Sequence, residues 1–177
     1  FRNELAVTEP YKGNRKDAKR PVHYVAIRNH LQHLGAELVE GQEADDAVAI
    51  EATNTGGWIV SIDKDLDQVA GWHYNFVKKE EYYVTEEEGL RNLFIQVLTG
   101  DRIDNIIGLK GIGPKKAAKL LEDCKTAKEY YDACLKAYDG NQLRVDENLN
   151  LLWLRREPNQ TCPHLSTSLD VNGQSST

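Results

Sequence analysis

Three acidic clusters carry the most pointed chemistry in this sequence: Glu43, Asp45 and Asp46 in E-A-D-D, Asp63 and Asp65 (with Asp67) in D-K-D-L-D, and Asp101 and Asp104 in D-R-I-D. In an extended segment Asp63 and Asp65 point the same way, whereas a helical turn pairs Asp101 with Asp104 and Glu43 with Asp46, leaving Asp45 on a neighbouring face. Each cluster can offer oxygens to one point. Carboxylates gathered without cations raise one another's pKa, and magnesium or manganese removes that penalty while preferring oxygen ligands. The set predicts a two-metal site, ions about 4 Å apart, that cleaves phosphodiesters. Any one cluster alone reads as a solvated surface or a helix start; their joint presence makes the case.

A second constellation follows the last acid. Gly108, Gly111 and Gly113 lie in GLKGIGPKKAAKLL, a G-x-x-G-x-G pattern. It follows helical residues, so a dinucleotide fingerprint fails its context, and it lacks the G-K-[ST] of a P-loop. Two short helices joined by a Gly-Ile-Gly turn fit better. Backbone N–H groups there and a helix starting at Pro114 can hold a phosphate, and Lys115, Lys116 and Lys119 add charge without reading bases. A purely structural helical hairpin is the competing reading. In YKGNRKDAKR, Tyr11 can stack on a base while Lys12 and Arg15 grip phosphates or stabilise a transferring phosphoryl; an ordinary solvated loop is the alternative.

The charge distribution accommodates both jobs. The 177 residues carry a net charge of -6, yet Lys12, Arg15, Lys16, Lys19, Arg20 and Arg28 face one acid, Asp17, over residues 12–28, and residues 110–119 hold four lysines and no acid. An acidic site flanked by basic patches can hold a metal and still dock a polyanion. The histidines form no zinc spacing and read as surface residues. Three scattered cysteines suggest a reducing compartment, with Cys124 and Cys134 buried in helices. No apolar run is long enough for a membrane, so a cytoplasmic monomer is expected. The chain has no methionine and opens on FRNELAVTEP, which reads as a start inside a longer protein.

The elements that must position these residues follow from periodicity. Tyr24, Ile27, Leu31 and Leu34 predict a helix ended by Gly35; AELVE is a short strand candidate; Ala44, Ala47 and Val48 mark a helix ended by Gly56 and Gly57. WIVSI, residues 58–62, reads as an inner strand of a mostly parallel sheet, with DKDLD at its carboxyl end, where open α/β sheets bind ligands. HYNFV and EYYVT are further strands. Thr85 with Glu88 and Thr126 with Glu129 predict capping boxes for two helices, and LRVDENLNLLWLRR predicts a last one. Residues 158–177 read as a loose polar tail.

YKGNR, EADD, SIDKDLDQV and TGDRIDNIIGLKGIGPKKAAKLL together resemble the 5'-nuclease, or flap endonuclease, family, in the style of phage 5'→3' exonucleases and the 5'-nuclease domain of bacterial DNA polymerase I. The resemblance spans about residues 11–121. It implies a PIN-like three-layer α/β/α core with a mostly parallel sheet over residues 1–98, an arch remnant near 1–21, and a helix-hairpin-helix region over 99–157. It implies two Mg2+ or Mn2+ ions: Glu43 and Asp45, with Asp46 adjacent, at the first, and Asp63, Asp65, Asp101 and Asp104 at the second. Lys12 and Arg15 match the catalytic basic pair. The glycine hairpin would hold duplex DNA, with K+ at its carbonyls. The implied reaction hydrolyses DNA at a 5' end, flap or junction to a 5'-phosphate and a 3'-hydroxyl, in the host cytoplasm if phage-encoded. The family opens with a strand carrying an aspartate and places another aspartate after a second strand, and both would precede Phe1. The isolated 177 residues are therefore expected to be weak or inactive, and a longer form active. A noncatalytic DNA-binding module and a PIN-type ribonuclease are the rival readings.

Overall fold

The computed structural model describes residues 2–16 and 18–165. Its centre is helix α4, Glu86–Thr99. The expected capping box is present: the Thr85 side chain accepts from the Glu88 N–H, and Glu88 reaches back to the Thr85 N–H at 2.8 Å. Two orphan donors are thereby satisfied where the helix must start. Leu93, Phe94, Val97 and Leu98 are fully buried, and the later helices close around them: α5 (Pro114–Leu120), α6 (Ala127–Ala137) and α7 (Gln142–Leu152). The Thr126–Glu129 capping box opens α6, and Phe94 stacks on Tyr130 at 5.4 Å. Asn148, also fully buried, donates to the Val97 and Ile107 carbonyls, each at 3.0 Å, and so joins α7 to α4 and to the chain beyond it. This core runs from Tyr11 to Cys162, across both expected segments.

The earlier helices are α1 (Arg2–Leu5), α2 (Tyr24–His33) and α3 (Ala44–Thr55). Gly56 ends α3 at φ 67°, the left-handed cap that glycine adopts without strain. Residues 59–84 form a three-stranded sheet of β1 (Ile59–Val60), β2 (Gly71–Asn75) and β3 (Glu80–Val84) in that order. β1 pairs parallel to β2 with Ile59 opposite His73; β2 pairs antiparallel to β3. A second sheet is the hairpin of β4 (Gly100–Asp101) and β5 (Ile106–Ile107).

This corrects the expected fold. The described residues form a mostly helical α/β fold with one mixed and one antiparallel sheet, not a PIN-like core on a mostly parallel sheet. WIVSI reads like a buried inner strand, but only two of its residues pair, and among the described residues β1 lies at the sheet's edge. AELVE forms no strand. The segment before the glycine turn is β-hairpin and not helix, because Gly100 and Gly108 cross at backbone contact. A Cβ on Gly108 would lie 2.1 Å from the Thr99 carbonyl carbon, and one on Gly100 2.3 Å from the Gly108 nitrogen. Among the histidines, His73 is buried, its Nε2 2.8 Å from the Val69 carbonyl. Cys134 and Cys162 are buried and Cys124 is half-buried. Of the expected loose tail, residues 158–165 are irregular but packed, with His164 edge-on to Trp153 at 5.2 Å; 166–177 lie outside the described residues. No described helix is long and apolar enough to cross a membrane.

Candidate metal and phosphate site

Three local structures bring the acids together. Glu43 is the N-cap of α3, which puts Asp45 and Asp46 in its first turn. Asp63 caps the 3-10 turn Lys64–Gln68, its Oδ1 accepting from the Asp65 N–H at 3.0 Å. Asp101 ends β4 and Asp104 sits in the turn before β5, where Asp101 Oδ1 accepts from the Ile103 N–H at 2.7 Å. Glu43, Asp45, Asp65, Asp101 and Asp104 line one cavity of about 20 Å³, with Arg2 and Tyr11. That is room for about one water-sized occupant. Asp63 is exposed beside it.

The acids divide into two electrostatic groups. The first is neutralised by cations. Lys12 Nζ donates to Glu43 Oε1 at 2.8 Å and lies 3.5 Å from Asp104; Arg15 Nη2 donates to Asp104 Oδ1 at 2.9 Å. The basic loop is held there by backbone: the Lys12 N–H donates to the Asp104 carbonyl at 2.8 Å and Asn14 Nδ2 to the Arg102 carbonyl at 2.9 Å. The second group is crowded with like charge. Burial first, then Asp63 and Asp101, pushes the Asp65 carboxyl up to about 6 against the opposing hydrogen bond from Gln96. Burial, then Asp63 and Glu43, raises Asp45. These carboxylates carry the penalty that a divalent cation relieves. The all-oxygen donor set suits a hard ion, yet among the described residues no three His, Cys, Asp or Glu side chains form a group able to hold a metal.

Two residues sit differently from their sequence reading. Asp46 is 1% exposed and does not line the cavity; it forms a bidentate pair with Arg2, at 2.8 and 2.9 Å, sharing the Arg2 Nη1 with Glu43, and accepts from the Arg155 N–H at 3.0 Å. Tyr11 is 7% exposed, its ring in the main core and its hydroxyl 2.9 Å from both Glu43 and Asp104. Its ring offers no open face for a base. The glycines split as well. Gly108 is consumed by the backbone crossing; Gly111, at φ 78°, has nothing within 4 Å of its Cβ position; Gly113 is the N-cap of α5. Lys115, Lys116 and Lys119 are exposed, and Lys116 Nζ donates to the Gly111 carbonyl at 3.0 Å, an ammonium on one of the carbonyls where K+ was expected.

No family model matches the chain. The flap endonuclease Xni of Shewanella halifaxensis is 30% identical, over 94% of this chain and 71% of the relative. The chain belongs to the flap endonuclease, or 5'-nuclease, family. Other relatives of this family chain are longer: DNA polymerase I of Rhizobium leguminosarum is 35% identical over 70% of this chain, which spans 14% of that polymerase. Among solved structures, a complex of the bacteriophage T5 flap endonuclease with DNA and metal ions superposes with a TM-score of 0.65 at 20% identity, covering 98% of this chain and 80% of that one.

The flap endonuclease motifs did not reveal every residue that builds this site. Arg2 was missed: it lies in no periodic pattern, and its five hydrogen bonds reach Glu43, Asp46 and the carbonyls of Leu151 and Trp153. Gln96 was missed because it shares α4 with an apolar face and its role is set by Asp65, far away in sequence. Neither carried a local signal.

Proposed function

We propose that this chain forms most of the catalytic unit of a divalent-metal-dependent 5'-nuclease that hydrolyses DNA at a 5' end or flap. One observation carries the reading: carboxylates from three separated segments line a single cavity, and Lys12 and Arg15 stand on its rim. Bound Mg2+ or Mn2+ would supply an activated water and neutralise charge on the phosphoryl oxygens. Asp45, Asp63, Asp65 and Asp101 are the residues proposed to hold those ions, with Glu43 and Asp104 recruited when Lys12 and Arg15 turn to phosphate. Asp46 positions Glu43 through Arg2. Lys12 and Arg15 orient the scissile phosphate and offset its developing charge. Lys115, Lys116 and Lys119, beyond the Gly111–Gly113 turn, hold the duplex by its backbone.

The test gives 5'-flap DNA to the 177-residue chain and to an upstream-extended form, in magnesium and in chelator. Metal-dependent cleavage by the extended form, lost in Asp63→Ala/Asp65→Ala with DNA binding retained, is the expected result. Absence of cleavage by the extended form refutes the assignment. A noncatalytic DNA-binding unit is the second reading, favoured by the ion pairs that already engage Glu43 and Asp104 and by the absence of a closed metal group among the described residues.

A further inference from the structure

A cavity of about 700 Å³ lies between the end of α3, the strands β2 and β3, the start of α4 and residues 153–164. It shares no lining residue with the cavity of the acids. Glu86 and Leu90, on its lining, belong to the start of α4, whereas Asp101 follows the other end of that helix, about 20 Å along the axis. Its volume falls in the range of small-molecule sites, about 300–1,000 Å³.

Aromatic rings make one part of the lining. Trp72 and Tyr83 pair across β2 and β3 and meet edge to face at 5.4 Å, and Trp58 stacks on Trp72 at 5.2 Å. Trp72 and Tyr83 nevertheless stay 45% and 53% exposed. Another part holds a cation short of counter-charge. Arg156 is half-buried, its guanidinium donates to the carbonyls of Leu154 and Gln68, both neutral, and it lies 4.6 Å from the centre of the Trp153 ring. Burial pulls Arg156 down to about 10, against the attraction of Glu86 and Asp46. His164, on the same lining, is pushed down to about 4 by burial and then by Arg156, so it is neutral at pH 7. Trp153 Nε1 is a buried donor with no partner among the described residues, and buried donors are ordinarily paired.

Each part of the lining asks for a different group on the ligand. An anion matches Arg156 and Trp153, and a planar ring matches Trp72 and Tyr83. Glu86 and Glu87, exposed on the lining, accept hydrogen bonds and so match an amino group. A nucleotide with an amino-bearing base carries all three. We propose that this cavity binds such a nucleotide, with its base against Trp72 and its phosphate on Arg156. Lys125, also exposed on the lining, adds charge for the phosphate. The distance along α4 from Asp101 favours a free nucleotide over a nucleotide of the strand held at the acids. The site stands whether or not the carboxylates cut DNA.

The experiment titrates the 177-residue chain, labelled with 15N, with dCMP, dAMP, dTMP, deoxycytidine, inorganic phosphate and a short oligodeoxycytidylate lacking a terminal phosphate. The three tryptophans give three indole N–H signals, which single Trp→Phe variants assign. The expected result is a saturable shift of the Trp72 and Trp153 signals with dCMP and dAMP, about tenfold tighter than with dTMP, deoxycytidine or phosphate. Trp72→Leu, at an exposed strand position, weakens dCMP about tenfold, the worth of one stacked base. Lys125→Met, outside the helices, keeps the native spectrum and weakens dCMP but not deoxycytidine. No saturable shift with dCMP or dAMP overturns the proposal, as does unchanged affinity in both variants. Phosphate binding as tightly as dCMP overturns it in favour of a simple anion site, and dTMP binding as tightly overturns the role of Glu86 and Glu87. An oligonucleotide that binds more tightly than dCMP overturns the free nucleotide in favour of a single strand.

Discussion

Replacing Arg2 with methionine tests whether the buried pair under the site has the weight assigned to it. Arg2 and Asp46 have side chains 4% and 2% exposed, and the two guanidinium–carboxylate bonds are 2.8 and 2.9 Å. Methionine keeps the apolar stem and removes every donor. Asp46 is then left with the Arg155 N–H at 3.0 Å, and the Leu151 and Trp153 carbonyls at the end of α7 lose bonds of 3.0 and 2.7 Å. Breaking a buried pair from one side costs about 3–5 kcal/mol, because it strands a charge away from water. At this chain length that lowers Tm by roughly 6–20 °C. Urea unfolding and thermal melts both read it. Adding Asp46→Leu to Arg2→Met removes the stranded charge and returns most of the loss, short of about 1 kcal/mol for each orphaned carbonyl. A loss under about 1 kcal/mol in the single variant, or a double variant no more stable than the single, refutes the assignment of Asp46 as a structural partner of Arg2.

Two further outcomes follow. Gly108→Ala meets the Thr99 and Gly100 backbone at 2.1–2.3 Å and should lower stability by about 3 kcal/mol, whereas Gly111→Ala, with open space and only its φ of 78° to strain it, should cost about 1 kcal/mol; urea midpoints separate them. Asp65 has a folded pKa raised to about 6, so the folded state holds the extra proton between about 4 and 6, and this group's contribution is favourable below that window and lost as pH rises through it. Mg2+ should therefore raise Tm more at pH 7.5 than at pH 5, and Asp65→Asn should shrink the difference; an equal Mg2+ effect at both pH values contradicts it.

What could be read from the sequence was what depends on near neighbours. Thr85 with Glu88 and Thr126 with Glu129 form their capping boxes because both partners lie within one turn. Gly56 ends α3 for an equally local reason. The sheet departs from expectation because a short apolar run does not say how many of its sides are covered: WIVSI has the composition of an inner strand and, among the described residues, the position of an edge. Asp46 looks like its neighbours Glu43 and Asp45; only Arg2, forty-four positions away, distinguishes it. Tyr11 sits in a basic run that reads as a nucleic-acid loop, yet its ring fills the core. Asp101 and Asp104 do converge on the cavity, but through a hairpin and its turn, since the Gly100–Gly108 crossing leaves no room for a helix there.

That convergence leaves the basic pair with two competing partners. Lys12 bonds to Glu43 and approaches Asp104, and Arg15 bonds to Asp104. A divalent ion drawing on Glu43 or Asp104 must displace these ammonium and guanidinium groups, and a displaced Lys12 is free for a phosphate. Under the proposed function metal and DNA would then bind with positive coupling, and linkage would make the coupling mutual. Lys12→Met should accordingly raise the affinity of the DNA-free protein for Mn2+, read by calorimetry, because the carboxylates no longer lose a cation when the ion enters. The same change should weaken the gain in Mn2+ affinity that DNA brings to the unaltered protein, a coupling of about 1–3 kcal/mol in typical systems. If Lys12→Met binds Mn2+ no more tightly, the ammonium is not a competitor for the ion, and the two groups of carboxylates act independently.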